Sequence, residues 1–165
     1  DLRLLYVDSI PESIENLKNL YYLEIQDGNV DIIPSGLWNL PSLNWLNLRN
    51  NNLYEINSEI SNLTTLEYFY IDGNQLASIP ESICLLKNLV GALEIANNNL
   101  TSLPDCYCSI PAIVGTSVES NNLCEEYRFK CINSLHWDDN GNSPQDQSNC
   151  CEGPNGESNW TQCEE

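Results

Sequence analysis

The chain has 165 residues, a formal net charge of −18 and only six Lys plus Arg against 24 Asp plus Glu. One domain of ordinary size is expected from that length. The charge excludes nucleic-acid binding, which needs clustered cations to neutralise phosphates, and docking on anionic lipid. No apolar run reaches the roughly 20 residues of a membrane span, so direct membrane insertion is not expected. The chain opens at Asp1 in mid-pattern, without an initiator Met or a signal peptide, which predicts a mature or truncated product.

In chain order the same unit returns about every 23 residues, a fixed-period self-similarity that is the signature of a solenoid. Ile10, Ile33, Ile56 and Ile79 share one position, and Leu103 follows with one extra residue near Val90–Ala92. Pro11, Pro34, Pro80 and Pro104 come next in register, with Asn57 in place of one Pro. Further ladders are Leu20–Leu43–Leu66–Leu89, Leu23–Leu46–Phe69–Leu93, Ile25–Leu48–Ile71–Ile95–Val118 and Asn51–Asn74–Asn98–Asn121. Alternating apolar residues in each unit predict a short strand with one buried face. An Asn at the turn can donate to and accept from backbone groups of neighbouring coils. The Ile-Pro step turns the chain toward the convex side, where Pro needs no donor. Pro-Glu-Ser-Ile at 11–14 and 80–83 predicts a short helical turn. In the first two coils Leu5 and Gly28 fall at the Asn position.

After Leu123 the ladders stop. Residues 124–165 hold five of the eight cysteines among Gly, Asn, Asp, Pro and Ser, with few apolar groups: Tyr127, Phe129, Ile132, Leu135, Trp137 and Trp160. The boundaries expected are therefore a solenoid of about five coils over 1–123, its N-terminal coil incomplete, and a Cys-rich cap over 124–165. All eight cysteines (Cys84, Cys106, Cys108, Cys124, Cys131, Cys150, Cys151 and Cys163) lie in the second half. Zinc sites favour short Cys-x₂₋₄-Cys pairs; Cys106-x-Cys108 and Cys124-x₆-Cys131 fit that badly. Disulfides, and with them a secreted or cell-surface location, are the reading preferred. Eight cysteines allow 105 pairings; equal phase in adjacent coils makes Cys84 and Cys108 expected neighbours.

The unit L-x-x-L-x-L-x-x-N-x-L-x-x-I-P-x-x-I-x-x-L-x-x resembles the leucine-rich-repeat family over about residues 2–123, in its 23-residue I-P-x-x-I form. That form is similar to Ras-suppressor-like and many bacterial repeats and lacks the Ser-Gly of plant receptor repeats. The resemblance implies an α/β solenoid, with short parallel strands on a concave face and loops and short helical turns on the convex face. The C-terminal end resembles those of secreted marine bacterial repeat proteins, which implies a shared set of Cys108, Cys124, Cys131 and Cys150.

Outward-facing strand positions define a candidate ligand-binding strip. One column is Tyr22, Trp45, Tyr68; a second is Glu24, Asn47, Tyr70, Glu94; a third is Gln26, Arg49, Asp72, Ala96. Tyr, Trp and Arg dominate binding hot spots, and exposed apolar area marks contact sites. Cross-strand aromatic ladders that only stabilise the sheet are the competing explanation. A protein or glycan ligand fits equally well at this stage; self-association as a surface-layer or filament subunit is the alternative, and a hydrolase comes third. Asp138, Asn140, Asn142 and Asp146 resemble a Ca²⁺ loop in composition but not in spacing, so a solvated acidic turn is preferred and no cofactor is expected. His136, the only histidine, lies far in sequence from any Gly-framed Ser, and no enzyme is expected. Asn62, Asn99 and Asn159 fit the N-glycosylation pattern, which Asn-rich repeats match by chance.

Overall fold

The computed structural model describes residues 1–111, 117–124, 145, 150–152 and 160–162, the last two stretches as backbone. Five strands, β1 (Leu2–Leu5), β2 (Tyr22–Gln26), β3 (Trp45–Asn47), β4 (Tyr68–Tyr70) and β5 (Ala92–Glu94), form one parallel sheet in sequence order. A sixth coil continues the ladder at 117–119, where Ile95 N–H meets the Ser117 carbonyl at 3.4 Å and Asn97 N–H meets that of Glu119 at 2.8 Å. A separate antiparallel pair joins β6 (Cys150–Glu152) to β7 (Trp160–Gln162).

The core is the stack of ladders. Leu23, Leu46, Phe69 and Leu93 are wholly buried, as are Leu43, Leu66 and Leu89. Each such side chain contributes about 1.5–3 kcal/mol by leaving water. Trp38, a residue no ladder contains, is also buried beneath the convex side.

The convex turns are 3₁₀ rather than α: Glu12–Asn16, Ser35–Asn39, Ser58–Asn62, Glu81–Leu85 and Tyr107–Ser109. The short span between each Pro and the return strand leaves room for one tight turn only. Pro11, Pro34 and Pro80 enter these turns with φ of −75°, −67° and −68°. Asn57 adopts the same backbone, φ −69°, and its side chain accepts the Glu59 N–H at 2.9 Å. The exchange of Pro for Asn thus trades a locked φ for a side-chain cap.

The Asn ladder is a continuous hydrogen-bonded wire. Asn74 Oδ1 accepts Leu53 N–H at 3.1 Å, while its Nδ2 donates to the carbonyls of Leu48 (3.0 Å) and Ile71 (2.9 Å). Asn98 repeats this with Leu76 N–H and the carbonyls of Ile71 and Ile95. Ile71 C=O therefore receives two consecutive asparagines. Each asparagine of the wire satisfies polar backbone that the core cannot otherwise satisfy.

The first coil corrects the sequence register. Leu2 pairs with Leu23 and Leu5 with Gln26, whereas Leu23 pairs with Leu46. The first of these steps is shorter than the second by two positions. Leu5 is therefore not at the Asn position; Val7 lies against Gly28. The shortened coil brings Val7 so close that a Cβ on Gly28 would meet the Val7 carbonyl oxygen at 2.3 Å. Glycine is what the close approach demands. A left-handed residue recurs once per coil, at Tyr6, Asp27, Asn50, Gly73, Asn97 and Ser120. Five of the six are small or Asx residues suited to it.

Candidate functional site: the concave face

Parallel registers place the predicted columns side by side. Tyr22, Trp45 and Tyr68 are paired across β2, β3 and β4, and Glu24, Asn47 and Tyr70 form the next column, followed by Glu94 on β5. Strand alternation sends these groups to the concave side and the Leu–Phe ladder to the core.

The aromatic groups form one stack. Ring centroids of Tyr22 and Trp45 lie 5.5 Å apart and those of Trp45 and Tyr68 4.4 Å apart, both with stacked planes. Tyr70 tilts against Trp45 at 5.0 Å. Arg3 covers the Tyr22 ring at 4.9 Å and Arg49 covers the Tyr70 ring at 4.3 Å. The faces are thus largely spent on each other and on the two arginines. What the strip turns to solvent is ring edge and phenolic hydroxyl. The Trp45 indole N–H is buried and has no hydrogen-bond partner among the described residues.

Polar members are tied as well. The Tyr22 hydroxyl donates to Glu24. Arg49 Nε pairs with Asp72 at 2.5 Å, both partly exposed. Burial raises the Tyr22 pKa, with Glu24 adding to the rise and Arg3 opposing it. Burial also raises that of Tyr70, where Arg49 opposes and Glu94 adds.

Two strip residues depart from expectation. Asn47 is buried rather than presented: its Nδ2 donates across the face to Gln26 Oε1 (3.2 Å) and its Oδ1 accepts the Arg49 N–H (3.1 Å). Ala96 is buried too. Beside the strip, a flank hollow of about 430 Å³ is lined by Tyr21, Ser42, Asn44, Thr65, Glu67 and Asn88 among others. Outward-strand columns did not include it, since its residues precede the strands; their own recurrence once per coil is the signal for it.

Cys84 bonds to Cys106, not to Cys108. Cys108 and Cys124 are each in a disulfide as well. The reason lies in the last turn: Tyr107 fills the buried slot that Ile83 fills one coil earlier, and Tyr107–Ser109 is a shorter turn than Glu81–Leu85. That leaves Cys106 with its Cα 6.0 Å from that of Cys84, within disulfide reach. Glu81 sits beside this pair, but sulfurs spent on each other are not thiolate ligands. Cys131, Cys163, His136, Asn159 and the Ca²⁺ candidates Asp138, Asn140, Asn142 and Asp146 lie outside the described residues, and the side chains of Cys150 and Cys151 are not described.

One site residue escaped sequence reasoning entirely. Gln145 Oε1 accepts Leu123 N–H at 3.2 Å and its Nε2 donates to the Val118 carbonyl at 2.7 Å. These are the bonds that Asn121 makes one coil earlier, to Leu100 N–H and the Ile95 carbonyl. Gln145 closes the Asn wire at its C-terminal end.

Parallel one-strand coils, 3₁₀ convex turns and an Asn wire define a leucine-rich-repeat solenoid. The leucine rich repeat family model matches residues 18–76, and the described coils on both sides of that stretch continue the same solenoid fold. Its fold is similar to a plant peptide hormone receptor, RGFR1, solved in complex with RGF2: TM-score 0.64 and 30% identity over 73% of this chain and 20% of that one. It is also similar to a chain of the BIR3–SERK2 complex of Arabidopsis thaliana, with TM-score 0.62 and 28% identity over 74% of this chain and 68% of that one. A leucine-rich-repeat protein of Leptospira interrogans aligns with TM-score 0.51 and 27% identity, over 74% of this chain and 38% of that one. The chain spans about a fifth of the hormone receptor's length. A comparison with curated protein sequences finds no match.

Proposed function

We propose that this protein is an extracellular recognition module that binds a protein or peptide partner on its concave face. The observation that carries the reading is the Tyr22–Trp45–Tyr68–Tyr70 stack, an ordered aromatic band whose edges stay open to solvent on the side where nothing else of the described chain covers it. A pre-stacked band loses little side-chain entropy on binding, which is what makes an aromatic anchor effective. Similar solenoids, a peptide hormone receptor in complex with RGF2 and a chain of the BIR3–SERK2 complex, support a protein or peptide ligand. The strip favours a peptide over a glycan on physical grounds: sugar rings pack on aromatic faces, and here those faces are already occupied. Three cysteines in disulfides at the solenoid's C-terminal end, beyond the one at Cys84, support an oxidising location.

The test is selection of a displayed random-peptide library on the wild type and on a Tyr22→Ala/Trp45→Ala/Tyr68→Ala variant checked for folding by circular dichroism. Peptides enriched on the wild type should lose binding at least tenfold on the variant. Equal binding to both removes the concave strip as the site.

A further inference from the structure

The flank hollow beside the strip has a polar chemistry of its own. Its residues come from successive coils, just ahead of the strands. The Tyr21 carbonyl accepts Asn44 N–H (2.9 Å) and Trp45 N–H (3.1 Å), the Asn44 carbonyl accepts Glu67 N–H (2.8 Å) and Tyr68 N–H (3.1 Å), and the Glu67 carbonyl accepts Gly91 N–H (2.9 Å). Tyr21, Asn44 and Glu67 therefore stand in a row at about one strand spacing, ~4.8 Å, from one to the next. Gly91 ends the row without a side chain. All three side-chain-bearing residues line the hollow of about 430 Å³, within the roughly 300–1,000 Å³ of ligand pockets.

What this row leaves unbonded is a set of acceptors. Asn44 is only 6% exposed, and its Nδ2 donates to the Thr65 carbonyl at 3.2 Å, which fixes the orientation of the amide. Its Oδ1 has no hydrogen bond among the described residues yet is not sealed from solvent, and the open space beside Asn44 is the hollow. The Glu67 carboxylate has neither an ion pair nor a hydrogen bond among the described residues. Donors around it are engaged elsewhere: Thr65 Oγ1 with the Leu43 carbonyl (2.8 Å) and Asn88 Nδ2 with the Thr64 carbonyl (2.7 Å). Lys87, next to Asn88 in sequence, sends its ammonium to the Cys84 carbonyl at 2.9 Å. Tyr21 is 56% exposed, and no ring or guanidinium among the described residues covers it, unlike Tyr22 and Tyr70 of the strip.

We infer that this hollow binds an alkylammonium group, its head between Asn44 Oδ1 and the Glu67 carboxylate and its apolar stem on Tyr21. The head brings three N–H donors and no acceptor, which is what two free acceptors and one unpaired negative charge call for. The stem finds an open aromatic surface. An anion is repelled by Glu67. An uncharged apolar group would cover Asn44 Oδ1 and Glu67 with nothing in exchange for their lost water. Sugar hydroxyls bring an acceptor with each donor, and the neighbouring donors are already engaged. None of these residues belongs to the concave strip, so the inference does not depend on what the strip binds.

The experiment titrates ¹⁵N-labelled full-chain protein, at an ionic strength of about 0.15 M, with n-butylammonium, N-acetyl-lysine amide, the uncharged n-butanol, glucose and Ca²⁺. Saturable shifts of the Asn44 side-chain amide and the Glu67 backbone amide are expected with n-butylammonium. The same shifts with N-acetyl-lysine amide make a peptide side chain an accepted source of the group; their absence with it restricts the source to free amines. Glu67→Gln, which keeps side-chain shape, should weaken n-butylammonium by about two- to fivefold, the range of a partly exposed charge pair. Tyr21→Ala, at an exposed position, should weaken it by a similar factor through lost burial of the stem. Saturation by n-butanol or glucose at the same concentrations overturns the inference, and so does Ca²⁺ shifting the same two signals. It is overturned equally by a parallel shift at the Glu59 amide on the convex side, which would mark diffuse attraction to an acidic surface, or by affinity unchanged in both variants.

Discussion

Replacing Gln145 by Ala tests whether the segment beyond Leu123 is energetically part of the solenoid. Two hydrogen bonds disappear, but they are not equivalent. The Val118 carbonyl keeps Asn121 Nδ2 at 2.9 Å, so it retains a donor. Leu123 N–H, on a residue whose side chain is wholly buried, loses its acceptor. An orphaned buried amide costs about 1–3 kcal/mol and a shared acceptor a few tenths. Gln145 is itself half-buried, and water reaching the vacated position offsets part of the loss. The expected destabilisation is about 1–2 kcal/mol, which for a chain of this size lowers Tm by about 2–8 °C. Thermal unfolding followed by circular dichroism measures it, with Asn52→Ala as a control. Asn52 only accepts an exposed bond from Gln75, and its loss should stay within about 0.5 kcal/mol. Hydrogen exchange supplies a local reading: Leu123 N–H should exchange about tenfold faster in Gln145→Ala. If Gln145→Ala melts with Asn52→Ala and the Leu123 amide keeps its protection, the terminal closure of the Asn wire is refuted.

Two further outcomes follow from the cross-link and from the strip. The Cys84–Cys106 disulfide closes a loop spanning a separation of 22 residues, worth about 3 kcal/mol by the chain-entropy relation. The Cys84→Ser/Cys106→Ser variant should lower the urea midpoint accordingly, and an unchanged midpoint would show that neighbouring coils already hold these turns together. Tyr22 has a raised pKa in the folded chain, from burial first and Glu24 second. Its contribution to stability is therefore fully present below the unfolded value of about 10 and is lost as pH rises through the folded value. Tyr22→Phe should lose less stability than the wild type between pH 9 and pH 11, measured as the difference in urea midpoint; identical losses would contradict the buried, Glu24-bonded hydroxyl.

The strands, the buried ladders and the Asn wire were readable because each rests on a covalent count: a constant repeat length returns a position to the same depth in the next coil whatever the side chains do. The same count hid the first coil. Ile10 to Ile33 and Pro11 to Pro34 keep the full repeat length, so the shortening between β1 and Val7 leaves no trace in those ladders. Only the pairing of Leu2 with Leu23, and Gly28 as the one residue that fits against Val7, expose it. The strip was readable as columns but not as a stack. Alternation decides which face a side chain takes; it does not say that Trp45 spends its faces on Tyr22 and Tyr68, or that Asn47 bonds to Gln26 and Arg49. Those are choices among rotamers, made chiefly by neighbours a full coil away in sequence.

Gln145 shows how far the counting argument extends once chemistry is admitted beside identity. It follows Asn121 at the same interval that already separates Asn74 from Asn98. An Asn ladder searched as Asn ends at 121, because the composition turns polar and the Leu and Ile positions lapse there. Searched as a carboxamide that must both accept from an amide and donate to a carbonyl, it ends at 145. The Gln side chain meets Leu123 N–H and the Val118 carbonyl, the same kind of pair that an Asn meets in the earlier coils. What the terminal coil requires is not another leucine-rich unit but one amide group at the position where the next unit would have supplied it. That requirement is set by Leu123 and Val118, two residues inside the repeat, and it places a residue of the Cys-rich segment against the solenoid's last polar layer.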